Sequence, residues 1–99
     1  MSSVLVFQAS VKDQVAFKAY ASAVDPTVQI YGGRTIVRAK KLSLIEGKDT
    51  NNHILACIAF DTEQQALAWY NSPEYEDLLG DRAKGIDVDV SMYELIDHE

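Results

Sequence analysis

The sequence predicts an α+β domain with the order strand, helix, strand, strand, helix, strand, and three observations predict it. The segments Val4 to Val11, over most of its length, and His53 to Phe60 are apolar on both alternating faces, as strands buried on two sides are. Phe17, Tyr20, Ala21 and Val24 fall at the i, i+3, i+4, i+7 spacing of one buried helical stripe. Ile86-Asp87-Val88-Asp89-Val90-Ser91-Met92 alternates strictly, as a half-exposed strand does.

After the first strand, Asp13 is placed to cap a helix whose buried stripe begins at Phe17. Pro26 is expected to end that helix or to start a second short turn through Val28 and Tyr31, because proline removes the preceding residue from comfortable helical geometry. Gly32-Gly33 closes the segment with residues free to take positive φ. Arg34 to Ile45 then reads as a long strand, with a bulge expected near Ala39-Lys40-Lys41. The Gly, Asp and Asn content of Gly47 to Asn52 is that of a hairpin loop leading to the strand at His53. Thr62 with Gln65 matches a capping box, opening a helix that carries Ala66, Trp69 and Tyr70 on one face. Ser72-Pro73 restarts the helix as an N-cap followed by proline at the first position, and along this last piece Tyr75, Leu78, Leu79 and Arg82 form a stripe that Gly85 ends. In this order the elements make a ferredoxin-like βαββαβ pattern.

The chain of 99 residues, 47% hydrophobic and 24% charged, is expected to form a single domain over 1–99. A chain of that size buries roughly 65% of its unfolded surface, enough for one core without disulfides or a structural metal. Lone Cys57 lies in the apolar run Ile54 to Phe60, where a thiol is buried and inert. Nine Lys and Arg against fifteen Asp and Glu, a formal charge of −6, argue against nucleic acid. The start Met1-Ser2-Ser3-Val4 carries neither a basic segment nor a long apolar stretch, so no signal peptide or membrane span is expected and the cytoplasm is the default location.

Placing the strands predicts a partner. The first and third are apolar on both faces and belong at the sheet centre; the second, with Arg34, Arg38, Lys40 and Lys41, and the fourth, with Asp87 and Asp89, belong at its edges. Two helices of this length cover one face of a four-stranded antiparallel sheet. The other face, carrying Val4 and Val6 with Leu55 and Cys57 or their alternates, is then a large apolar patch, and a symmetric homodimer packed sheet on sheet would bury it.

Tyr31-Gly32-Gly33-Arg34, Val37-Arg38, Phe60, Ala68-Trp69-Tyr70-Asn71-Ser72-Pro73-Glu74-Tyr75 and Arg82 together resemble the pattern of the bacterial domain-of-unknown-function family thirteen-thirty, across almost the whole chain. The resemblance implies a dimeric α+β barrel, a superfamily that includes muconolactone isomerases, cofactor-free quinone-forming monooxygenases and stress-related binding proteins. The family has no agreed reaction. Where its members usually continue Val37-Arg38 with a glycine pair, this chain has Ala39-Lys40.

Among individual residues, Arg82 stands out at the end of an apolar and aromatic stripe, where a guanidinium must snorkel, pair with a carboxylate or bind an anion. Arg34 and Arg38 share a strand face by their even spacing, either as solvated edge charges or with Arg38 turned inward to hold an acidic or enolate oxygen. Trp69, Tyr70 and Tyr75, with Tyr20 and Tyr31 from the other helix, are core aromatics or the wall of a ligand cleft. A tyrosine hydroxyl beside an arginine is expected to have its pKa lowered by the positive charge, and to serve as proton donor or oxyanion stabiliser. His53 opens a strand at a loop as a surface histidine or a group titrating near neutrality; His98, in the terminal tail, is assigned no role.

Two distant histidines and one cysteine give no metal-ligand spacing, Gly32-Gly33 lacks the context of a phosphate loop, and no serine has a recognisable histidine partner. The sequence thus predicts a protein without metal or cofactor, binding a small aromatic or unsaturated acid in a mostly apolar cleft between sheet and helices, with any catalysis acid-base or electrostatic. The competing expectation is a structural or regulatory homodimer whose cleft residues are merely packed.

Overall fold

The computed structural model describes residues 2–96; His98 lies outside them. The elements are β1 (Ser3–Val11), α1 (Gln14–Ile30), β2 (Arg34–Lys40), β3 (Ile54–Phe60), α2 (Glu63–Tyr70), α3 (Pro73–Glu76), α4 (Leu79–Gly85) and β4 (Ile86–Glu94). The strands form one antiparallel sheet in the order β2-β3-β1-β4, so the two strands apolar on both faces are central and the two charged ones are edges, as their sequences require. This is the ferredoxin-like α+β fold. Among the described residues no helix is long and apolar enough to cross a membrane.

Register sorts the side chains. Leu5, Phe7 and Ala9 of β1 stand opposite Ile58, Ala56 and Ile54 of β3, and this face carries the core, where Tyr20, Val24 and Val28 of α1 meet Ala66, Trp69 and Tyr75. The alternate residues, Val4, Val6, Ala59, Cys57 and Leu55, occupy the opposite face, to which no helix contributes a core residue. Val6, Cys57 and Leu55 there are half-buried. Burial pushes the Cys57 thiol pKa up, in keeping with an unreactive sulfur.

Capping follows the sequence closely. Asp13 Oδ1 accepts from the Val15 and Ala16 amides. Thr62 and Gln65 form both bonds of the capping box, and Ser72 Oγ accepts from the Tyr75 amide with Pro73 at the first helical position. Between α1 and β2, Gly32 has φ +79°, and a side chain on Gly33 would run into the Phe60 ring, so the first glycine serves the turn and the second serves close packing.

Three expectations are corrected. α1 runs unbroken through Pro26 to Ile30. Pro26 is exposed, so the carbonyl one turn earlier, on exposed Ser22, is left to water rather than stranded in the core. The irregularity in β2 falls at Ile36, between Thr35 and Val37, rather than near Ala39-Lys40-Lys41, and the strand stops at Lys40, short of Ile45. Finally, the helix restarted at Ser72 is two pieces, α3 and α4, separated by Asp77 and Leu78.

Candidate functional site

A cleft of about 320 Å³ opens between α1 and the β2–β3 half of the sheet. Phe17, Tyr20, Ala21 and Val24 form its helical wall, the same stripe that buries α1, while Phe7, Ile54, Ala56 and Ile58 form its floor. Thr35, Arg38 and Lys40 line it from the edge strand. Arg38 Nη2 lies 2.9 Å from Asp25 Oδ2, and Thr35 Oγ1 donates to Asp25 Oδ1 at 2.7 Å. This pair is half-exposed, so its charges are largely matched and screened and add little stability. Asp25 escaped sequence reasoning; its one signal is a carboxylate inside the α1 pattern, directly before the misread Pro26.

The bulge changes where the arginines point. Arg34 pairs with Ala59 and so lies on the open face, whereas Arg38 pairs with Ala56 and lies on the helix-covered face beside the cleft. Even spacing would have put both on one face; the extra residue at Ile36 inverts the alternation between them.

Behind the cleft wall a polar chain runs through the core. Tyr20 Oη on α1 is 2.7 Å from Tyr75 Oη on α3, and Arg82 Nη1 on α4 donates to Tyr75 Oη at 2.9 Å and to Tyr70 Oη at 3.3 Å. The corner at Ser72 assembles it: Ser72 Oγ donates to the Trp69 carbonyl at 2.7 Å, ending α2 where α3 begins, so that the Trp69 and Tyr75 rings lie 4.3 Å apart. The Arg82 guanidinium carbon sits 5.9 Å from the centroids of both the Tyr70 and Tyr75 rings, within cation–π range. Arg82 has no carboxylate partner among the described residues, and it faces a smaller hollow with Tyr70, Asn71 and Glu76 rather than the main cleft.

The tyrosine pKa values move against expectation. Tyr20 is raised, first because burial disfavours its phenolate and then because Tyr75 stands beside it; Arg82 opposes this and does not prevail. Tyr75 is raised by burial too, against the opposing bonds from Tyr20 and Arg82. Both hydroxyls are therefore neutral donors at physiological pH.

The remaining candidates are dispersed. Trp69 is fully buried, its Nε1 donating to Thr27 Oγ1 at 2.9 Å, at the centre of Phe7, Phe60, Tyr70 and Tyr75. Tyr31 Oη donates to Glu74 Oε1 at 2.7 Å, tying the end of α1 to α3; the bond raises the Tyr31 pKa and lowers that of Glu74. His53 lies outside the cleft lining, and its backbone extends the sheet, accepting from the Lys41 amide and donating to the Ala9 carbonyl.

Comparison with known proteins agrees with this architecture. The model of the family described as a domain of unknown function, DUF1330, matches residues 2–95. Among solved structures, the chain is similar to a protein of unknown function from Rhodopseudomonas palustris, with a TM-score of 0.79 and 13% identity over 98% of this chain and 84% of that one. It is also similar to SnoaB, a cofactor-independent oxygenase from Streptomyces nogalater, with a TM-score of 0.71 and 8% identity over 98% and 95% of the two chains. A dimeric ferredoxin-like protein of unknown function from Thermobifida fusca gives a TM-score of 0.69 and 15% identity over 96% and 92%. No curated protein is significantly similar to the chain. The structural likenesses speak for the fold; the sequence match over residues 2–95 makes this chain a member of the DUF1330 family.

Proposed function

We propose that the protein is a homodimer in which each subunit binds a small aromatic or unsaturated organic acid, without a cofactor, in the cleft between α1 and the β2–β3 edge. The observation that carries this reading is the cleft itself: about 320 Å³ of mostly apolar wall, with Arg38 and Lys40 supplying positive charge at one side and Tyr20 in the opposite wall. An aromatic ring gains from the apolar lining, and an acidic group gains chiefly from Lys40, since Arg38 is matched by Asp25. The dimer is supported by Val6, Leu55 and Cys57, half-buried on the open face, and by the exposed Leu42 and Ile45 on the loop after β2. The Thermobifida fusca protein of similar fold is described as dimeric, which favours a dimer here. Similarity to a cofactor-independent oxygenase supports turnover without a cofactor.

A screen of small aromatic and unsaturated acids by thermal shift and calorimetry tests the proposal. A ligand at one hundred times its Kd stabilises by about 2.7 kcal/mol, a shift of several degrees for a chain this size. Ala21→Phe, which fills the cleft from its helical wall, is expected to abolish the response while leaving the protein folded. Complete burial of Trp69 and Tyr75 favours a second reading, a structural or regulatory dimer; it wins if no acid shifts the parent protein.

A further inference from the structure

Arg82 is tied to the core through one guanidinium nitrogen and leaves the other two unused. Its Nη1 donates to Tyr75 Oη at 2.9 Å and to Tyr70 Oη at 3.3 Å, which takes up both Nη1 protons. Nε and Nη2 have neither a hydrogen bond nor an ion-pair partner among the described residues. Every buried side-chain nitrogen and oxygen among those residues does have a partner, so these two nitrogens are open to solvent. Arg82 is half-buried and lines the hollow of about 170 Å³ between the end of α2 and α4, together with Tyr70, Asn71, Ser72, Glu76 and Leu79. It does not line the main cleft.

The unused part of the guanidinium is its side edge, where Nε–H and one Nη2–H run parallel and match the two oxygens of a carboxylate. That edge is held in place before any ligand arrives. Its anchor, Tyr75, has no exposed surface, and the guanidinium carbon lies 5.9 Å from both the Tyr70 and Tyr75 ring centroids. A side chain already ordered gives up less entropy when it captures an anion. The neighbouring polar groups do not compete for it, since Asn71 Nδ2 donates to the Leu67 carbonyl and Ser72 Oγ to the Trp69 carbonyl. Glu76 is exposed in the same hollow without pairing with Arg82.

We infer that this hollow is a second binding site, separate from the cleft, in which Nε and Nη2 of Arg82 hold both oxygens of a small monocarboxylate. Glu76 restricts the site to a single negative charge, because a second one would be repelled across the hollow. Exposed Leu79 offers the acid a short apolar contact. A purely structural Arg82 needs Nη1 alone, so the free edge is what separates the two roles.

Acetate is the probe and acetamide its neutral control, at constant low ionic strength, followed by nitrogen-15 NMR of the Arg82 Nε–H group and the Asn71 side-chain amide. In the parent protein acetate is expected to move both resonances saturably and acetamide to move neither. Arg82→Lys keeps the charge and loses the fork, and is expected to weaken acetate about tenfold or more at Asn71. Glu76→Gln is expected to tighten acetate roughly twofold. Ala21→Phe, which fills the cleft, is expected to leave the response at Arg82 as it is. A response lost in Ala21→Phe belongs to the cleft and overturns the inference, as does an Arg82→Lys protein that binds acetate like the parent. A Glu76→Gln protein that binds no more tightly puts the anion outside the hollow and overturns it too. Should a variant fail to fold, the parent alone decides: an Nε–H resonance that acetate does not move, or that acetamide moves equally, overturns the inference and leaves the cleft reading standing.

Discussion

The two faces of the sheet differ both in polarity and in the size of what they carry, for the open one adds Gln8 and Ser10 of β1 and Asp87 and Asp89 of β4 to its apolar residues. The covered face bears Phe7 and Phe60, and lies under Trp69 and Tyr75; the open face of β1 and β3 bears Val4, Val6, Leu55, Cys57 and Ala59, with no aromatic ring on either strand. Bulky rings fill the uneven space beneath helices, where Trp69 alone meets four other aromatic side chains. Small and branched aliphatic side chains make a flatter surface, suited to another sheet lying at about 10 Å. Side-chain volume as well as hydropathy therefore separates the covered face from the open one.

The largest expected effect tests the covered face. Trp69→Ala removes the ring at the centre of the aromatic cluster and leaves Thr27 Oγ1 without its donor, and is expected to cost about 3–5 kcal/mol in urea unfolding. A loss below about 1 kcal/mol would mean that the packing collapses around the gap and that the contrast between the faces is overstated.

The open face is tested by Val6→Lys. Far-ultraviolet circular dichroism is expected to stay native, while sedimentation equilibrium moves from dimer to monomer, a weakening of more than about 1 kcal/mol typical of a central interface position. A dimer of unchanged affinity would place the subunit contact elsewhere and break the comparison.

The smallest effect sharpens it at the margin, where α1 is tied to α3. The Tyr31 bond lowers the Glu74 pKa in the folded state, so its contribution is present above the ordinary glutamate value of 4.5 and is lost as pH falls through the lowered folded value. Tyr31→Phe is therefore expected to be less stable than the parent at neutral pH, with the difference shrinking below pH 4.5. A difference that does not vary with pH would assign the role of Tyr31 to its ring alone.

Much of this architecture was legible in local chemistry. Capping at Asp13, Thr62 and Ser72 follows from side chains acting within a few residues of themselves, and the central placement of β1 and β3 follows from their two apolar faces. What escaped depends on surroundings that periodicity does not encode. Pro26 is harmless because it faces solvent. The bulge at Ile36 depends on register with β3, and no residue type marks it. Reading Arg34 and Arg38 as one face followed from missing that bulge, and Asp25 as the partner of Arg38 was hidden for the same reason. The tyrosines near Arg82 were recognised, yet the sign of their pKa shift was not, because it turns on how deeply they are buried.

The unpaired residue in β2 makes that strand more vulnerable to a change in length than to a change in identity. Deleting Ile36 would restore strict alternation, and one half of the strand would have to turn over: either Arg34 would swing under the helices or Arg38 would swing out to the bare side. A loss of one codon there would move a positive charge from one side of the sheet to the other, between the cleft under the helices and the open face, a result that no single amino-acid replacement in the strand can produce.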